Sequence, residues 1–250
     1  MTNARRLVLV VPTLDEAASL PRCLERARAE CDAVVVSDGG SRDETPTIAR
    51  RLGAHWVAGP PGRGAQLDRG GEVALEQLDA DILLFLHADT LLAPGAGAAI
   101  RDAVESGAVG GGFHVLWDHP RPIYRLAERL VRLRSRLSRC PLGDQAQFVR
   151  ADIYRQLGGF RPWPVLEDLD LARRLRRLGP VALLEPPVTT SPRRYERLGV
   201  LRTIALNWTI WALYFFGVSP QRLGRLYGRH ETSDSTEPPP TTIDSPKRVD

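Results

Sequence analysis

Acidic side chains recur in short polar stretches directly after β-type runs. Asp15 and Glu16 follow Leu7 to Val11, Asp38 follows Ala33 to Ser37, and His87-Ala88-Asp89 closes Asp81 to Leu86. A carboxylate so placed can accept hydrogen bonds from a base N–H or a ribose hydroxyl, ligate a hard cation, or take a proton. Glu16 and Asp38 suit the first task. His87 can contact a ribose or offer a nitrogen to Mn2+, which accepts imidazole more readily than Mg2+ does, or make ordinary strand-end hydrogen bonds. In Gly59-Pro60-Pro61-Gly62-Arg63-Gly64-Ala65-Gln66 the glycines let backbone approach a ligand. Arg63 can fork onto diphosphate oxygens, and a helix opening at Gln66 would add its dipole. Plainer readings stand beside these. Asp15 or Glu16 can cap a helix from Ala17, Arg63 can decorate a solvated turn, and Glu167 and Asp168 can enrich a helix N-terminus while Asp170 pairs with Arg174.

The elements that must position these groups alternate. The three β-type runs are separated by helical stretches at Ala17 to Ala29, Thr45 to Leu52 and Gln66 to Leu78. That is the βαβα pattern of a parallel, doubly wound sheet, in which ligands bind where loops leave the carboxyl ends of the strands. The three polar loops are therefore expected to converge on one crevice.

From about Leu7 to Gly179 the chain resembles the family 2 glycosyltransferases of the GT-A fold. Val10-Val11-Pro12-Thr13-Leu14-Asp15-Glu16 is similar to that family's opening Pro-x-x-Asn-Glu, with Asp15 in the Asn position. Val36 to Asp43 resembles Asp-Asp-Gly-Ser-Thr-Asp, with Gly39 replacing the second Asp. His87-Ala88-Asp89 falls where the family carries Asp-x-Asp, and Glu167-Asp168 resembles its acceptor-side Glu-Asp. The resemblance implies a Rossmann-like, mostly parallel central α/β sheet flanked by helices, with amphipathic and apolar helices at the C-terminal end. It implies transfer of a sugar from a nucleotide-diphosphate donor, held by Pro12, Thr13, Glu16, Asp38, Arg63, Gln66 and His87. Asp89, with His87, is then the expected ligand of a divalent Mn2+ or Mg2+. Asp168 is the expected base toward the acceptor hydroxyl, and Glu167 would orient it or bind the acceptor. A base on the face opposite the leaving diphosphate gives inversion. Gly143, Asp144 and Gln145 fall between the donor loops and the acidic motif, where they can line the acceptor side, touch the departing phosphate, or simply form a turn.

Composition bounds the rest. With 250 residues, 43% hydrophobic and 26% charged, the chain can bury a full core. The expectation is one domain over 1–230, with a donor part at 1–115 and an acceptor part at 116–230. The tail 231–250, rich in Ser, Thr, Pro and Asp, reads as disordered. A net charge of +4, almost all arginine, is too mild to imply nucleic acid. Three cysteines without a CxxC pair fit a reduced cytoplasmic setting, and the short run after Arg5-Arg6 reads as a strand rather than a signal peptide.

Between Ile123 and Arg139 a leucine stripe (Leu126, Leu130, Leu133, Leu137) and an arginine stripe (Arg125, Arg129, Arg132, Arg136, Arg139) occupy separate helix faces. This fits either a peripheral contact with anionic lipid or leucines packed into a core. The aromatic run Val200 to Val218, interrupted by Arg202 and Asn207, falls short of a span. It fits an interfacial or core helix and is compatible with a lipid-linked acceptor. Competing functions are a nucleotidyltransferase, disfavoured because the loop after Val11 has no glycine, and an inactive nucleotide-sugar-binding scaffold, motivated by Gly39 and His87.

Overall fold

The computed structural model describes residues 5–232. Positions 233–250, most of the expected tail, lie outside the described residues. The N-terminal half is built as its hydrophobic pattern dictates. Strands β1 (Leu7–Thr13), β2 (Ala33–Asp38) and β3 (His55–Ala58) alternate with helices α1 (Leu20–Arg28), α2 (Thr45–Arg51) and α3 (Arg63–Glu76), and β4 (Ile82–Phe85) follows. These four strands pair in parallel in the order β3-β2-β1-β4. Successive residues of β1 serve opposite faces, as the two-residue period of a strand requires. Leu7, Leu9 and Val11 pack with Leu20, Leu24 and Ile100 on one side, whereas Val8 and Val10 pack with Leu67 and Tyr154 on the other.

Two helix starts differ from expectation. The first helix begins at Leu20 and not Ala17, because residues 16–19 form a turn in which the Ser19 and Leu20 N–H groups donate to the Glu16 carbonyl. Neither Asp15 nor Glu16 caps it. The third begins at Arg63, capped by Gly62 at φ 140°, three residues ahead of Gln66.

The second half completes a mixed sheet. After β5 (Thr90–Leu91) and α4 (Ala96–Glu105) come β6 (Gly110–Trp117), α5 (Pro122–Ser138), a 3-10 turn (Gly143–Gln145), β7 (Gln147–Arg150), α6 (Ala151–Leu157), α7 (Glu167–Leu175) and β8 (Val181–Thr190). The chain then turns helical through α8 (Arg193–Leu198), α9 (Val200–Phe215) and α10 (Pro220–Thr232). The full order is β3-β2-β1-β4-β7-β6-β8-β5, with β7 antiparallel to both β4 and β6, and β8 parallel to β6. β6 therefore runs across the expected division at 115. A third apolar cluster, including Leu166, Leu169, Ile210 and Leu223, fastens α9 and α10 to α7. Among the described residues no helix is long and apolar enough to cross a membrane.

Candidate active site

The loops after β1 and β2 are tied to one another. Ser41 Oγ accepts from the Asp15 N–H at 2.9 Å, Asp15 Oδ1 from the Arg42 N–H at 2.7 Å, Thr45 Oγ1 from the Glu16 N–H at 2.9 Å, and Asp43 Oδ2 from the Ala17 N–H at 3.0 Å. Asp15 sits at φ 55°, a left-handed conformation that Asp and Asn share a tolerance for. Asp38 is buried and organises the same loops. Its Oδ1 accepts from Thr13 Oγ1 at 3.0 Å and Ser41 Oγ at 2.5 Å, and its Oδ2 accepts from the N–H groups of Gly40 and Ser41.

Gln66 fills the space beside Gly39. Its Nε2 donates to the carbonyls of Thr13 at 2.8 Å and Ser37 at 3.0 Å, and its Oε1 accepts from the Gly62 N–H. A Cβ on Gly39 would lie 3.0 Å from that amide. The missing acid and the buried glutamine are thus two halves of one packing solution, in which an amide bridges the β1 and β2 loop carbonyls. Pro12, half-buried, precedes Thr13 at the end of β1.

A second group gathers where α3 meets α7. Arg63 Nε donates to Glu167 Oε1, and Arg63 Nη2 lies 3.5 Å from Asp168 Oδ2. Glu167 is buried, its Oε2 has no hydrogen-bond partner, and burial raises its carboxyl above the ordinary range, with Arg63 opposing and Asp168 adding to the rise. Asp168 accepts from the backbone N–H of Gly143 at 2.8 Å and of Leu169 at 2.7 Å. An added Cβ at Gly143 would stand 3.1 Å from Asp168 Oδ2 and 3.2 Å from His87 Nε2, so these two side chains converge on one glycine. Asp170 pairs with Arg174 at 2.7 Å, as its spacing predicts.

Arg193 was not singled out by the sequence. Reaching in from the start of α8, its guanidinium bridges two acids of the donor loops, binding both oxygens of Glu16 and standing 3.1 Å from Asp89 Oδ2. Burial pushes the Asp89 carboxyl up, Arg193 pulls it down, and Glu16 adds to the rise. Glu16 and Asp89 therefore form a paired-acid site that already holds a positive charge. Two carboxylates supply oxygen ligands of the kind a hard divalent cation takes. No three His, Cys, Asp or Glu side chains form a ready cage among the described residues, but a Mg2+-like ion needs only one or two carboxylates when substrate phosphates and water complete its shell.

One cavity of about 480 Å³ joins these groups. Its polar end carries Arg63, His87, Asp89, Asp144 and Asp168, and its walls are apolar, with Trp117, Leu130, Val165, Trp208 and Trp211 among them. Asp144 Oδ1 is buried without a hydrogen-bond partner; burial raises its carboxyl, against the pull of Arg134. Gln145 lies behind the wall. Its Oε1 accepts from Arg134, Ser135 and the Leu142 N–H, and its Nε2 donates to the Phe113 carbonyl at 2.9 Å. Thr13, Glu16, Asp38 and Gln66 do not line this cavity; they build the adjoining loops at the ends of β1 and β2. The sequence reading did not single out the Gly143 N–H as a donor to Asp168, nor Trp117 as part of the wall, although it did single out the aromatic run that supplies Trp208 and Trp211.

A mixed sheet, parallel through β3-β2-β1-β4 and joined to the second half by an antiparallel β7, with acids gathered at the strand ends, defines a GT-A-type fold. The model of the glycosyl transferase family 2 matches residues 8–139, and the chain belongs to that family. Solved structures agree on the fold. S. aureus TarS (residues 1–349) superposes with a TM-score of 0.57 at 15% identity, over 77% of this chain and 63% of that one. Glucosyl-3-phosphoglycerate synthase from Mycobacterium tuberculosis, crystallised with Mn2+, uridine diphosphate and glucosyl-3-phosphoglycerate, gives 0.54 at 22% identity, over 75% of this chain and 70% of that one. A 40-residue stretch is 52% identical to part of a TPR repeat-containing protein of Synechococcus elongatus, covering 16% of this chain and 10% of that relative. The chain thus spans about a tenth of that curated relative and under two thirds of the TarS fragment.

Proposed function

We propose that this chain transfers a sugar from a nucleotide-diphosphate donor to an acceptor hydroxyl, with inversion and with a divalent cation, on an acceptor carried by a lipid at the cytoplasmic face of a membrane. The observation that carries the reading is a cavity lined by His87, Asp89 and Asp168 together. The donor's nucleotide rests against the cross-tied loops of Pro12, Thr13 and Glu16, whose shape Asp38 and Gln66 fix from behind. Asp89 would hold a Mn2+ or Mg2+, with Glu16 or His87 as the second candidate ligand. When bound, such a cation offsets charge developing on the departing diphosphate. Arg63, at the first residue of α3, faces the cavity with its remaining N–H groups and meets phosphate oxygens.

Asp168 takes the proton of the acceptor hydroxyl as that oxygen bonds to the anomeric carbon. The bond from that carbon to the diphosphate oxygen breaks, and its electron pair leaves with the nucleoside diphosphate. Hydrogen bonds from Gly143 and Leu169 fix the Asp168 carboxylate, and Glu167 orients it through the shared Arg63. Asp144 lines the acceptor end.

The test is nucleotide release from UDP-, GDP- and dTDP-sugars with and without Mn2+, comparing wild type with Asp89→Ala and Asp168→Asn. Release that requires metal, is lost in Asp89→Ala and falls about 10²- to 10⁴-fold in Asp168→Asn supports the reading. Undiminished release by Asp168→Asn removes the base from this site.

A further inference from the structure

The leucine stripe of α5 is not its buried face. The helix packs through a seam of Tyr124, Ala127, Glu128 and Ser135, while Leu126, Leu130, Leu133 and Leu137 stand 51, 45, 55 and 77% exposed. On α9, Leu201, Trp208 and Phe215 repeat every seven residues on one face and are 72, 56 and 58% exposed. Leu130 and Trp208 also line the active-site cavity, so the two exposed stripes flank its mouth.

Charge accompanies them. Arg125, Arg129, Arg132 and Arg136 are exposed on α5, roughly a third of a turn from the leucines, and Arg139 is exposed just past its C-terminus. On the far side of that arginine row lies a second cavity of about 340 Å³, lined by Arg132, Arg136, Arg139 and His114. It holds a single carboxylate, Glu185, which Arg132 engages at 2.6 Å and which lies 3.4 Å from His114 Nε2. The His114 side chain is only 7% exposed, and its Nδ1 is buried without a hydrogen-bond partner. An excess of guanidinium groups is complementary to phosphate.

We infer that the α5–α9 face docks on an anionic phospholipid bilayer, with the leucine and tryptophan stripes among the acyl chains and lipid phosphates on the arginine row and in the His114 cavity. A patch of apolar side chains bordered by arginines is the pattern of an interfacial helix. Docked this way, the cavity mouth opens onto the membrane, and a hydroxyl on a lipid-borne acceptor reaches Asp168 without leaving it. The inference deepens the acceptor part of the proposed transfer and rests on it only for what the membrane delivers.

Docking is therefore read without turnover, by sedimentation of the full chain with vesicles of phosphatidylcholine alone or with about a third phosphatidylglycerol. Binding to the anionic vesicles is expected, with a partition coefficient at least tenfold lower for Leu133→Ser/Leu137→Ser. Arg132→Gln/Arg136→Gln is expected to lose the preference for anionic lipid. Inorganic phosphate at millimolar concentration should compete weakly, since a free anion engages the cavity alone. Circular dichroism and nucleotide release from the water-soluble donors confirm that the variants remain folded and competent. Absence of binding to either vesicle overturns the inference while leaving donor turnover intact. So does a concentration-dependent dimer abolished by the leucine substitutions, which would make the occupant a second copy. Equal binding by the leucine variants also overturns it.

Discussion

Replacing Arg63 with alanine should cost fold stability as well as any donor contact, because its partner is a buried acid. The Glu167 side chain is 1% exposed and already has one unpaired oxygen. Removing one member of a buried ion pair typically costs about 3–5 kcal/mol. The Arg63 side chain is 39% exposed, so water can enter the space it leaves, and about 2–3 kcal/mol is the better figure once screening is allowed for. For a chain of this size that lowers the melting temperature by about 4–12 °C. The pH dependence follows from the raised Glu167 carboxyl. An acid whose folded-state pKa is raised contributes stability that is complete below its unfolded pKa and is lost as pH rises through the folded one. Without Arg63, the largest opposing influence on that rise, the folded value climbs further, so the deficit should widen from pH 5 to pH 8. The assay is urea unfolding of wild type, Arg63→Ala, Glu167→Gln and the double variant at both pH values. The double variant should be less destabilised than the sum of the singles by about 1–2 kcal/mol, with the pH dependence removed. Arg63→Ala within about 0.5 kcal/mol of wild type at pH 8, the ordinary range for a featureless surface change, would refute the view that this pair is a structural joint between α3 and α7.

Other perturbations test single contacts. Arg193→Met frees Glu16 and Asp89 from a competing guanidinium, and should tighten Mn2+ binding in the absence of donor by about two- to fivefold, as an exposed ion pair of up to about 1 kcal/mol allows. Electron paramagnetic resonance of free Mn2+ reads this directly, and weaker binding would mean that Arg193 helps to build the cation site. Gly39→Asp forces aside an amide held by three hydrogen bonds and should destabilise the chain by about 1–3 kcal/mol in thermal unfolding, a penalty that Gln66→Ala partly relieves. Burial holds all three thiols above their ordinary range, that of Cys31 to about 12, so native protein at pH 8 should react with a thiol-disulfide reagent far more slowly than urea-unfolded protein.

The donor half was legible because its strands are buried on both faces and its acids follow them at once, a pattern carried by neighbouring residues. What stayed hidden depends on distant partners or misleading composition. Gly110-Gly111-Gly112, which carries no apolar side chain to signal a strand, is the start of β6. A Cβ at Gly110 would strike the Phe148 carbonyl of β7, and one at Gly111 the Ala182 carbonyl of β8, so glycine is what lets these strands approach. Pro186 and Pro187, residues depleted in strands, lie within β8. Arg193 meets Glu16 across 177 positions, and no local spacing announces such a pair.

The departures from the family pattern make sense only in three dimensions. Asp15 keeps the left-handed backbone that asparagine would adopt, and it spends its carboxylate on the Arg42 N–H of the neighbouring loop. Gly39 gives up an acid and gains room for Gln66, whose amide ties β1 to β2 without adding charge beside Asp38. At the third position His87 replaces an acid next to Asp89, and it approaches Asp168 across Gly143. The changes at Gly39 and His87 each remove negative charge from a crevice that must admit a diphosphate, and that crevice also receives Arg193 from the far end of the fold. On that reasoning, restoring an acid with His87→Asp should weaken donor binding in the absence of metal more than in its presence, because a bound divalent cation screens the added carboxylate. Titration calorimetry with the nucleoside diphosphate decides it. An equal loss under both conditions would place His87 against the nucleotide itself and away from the cation.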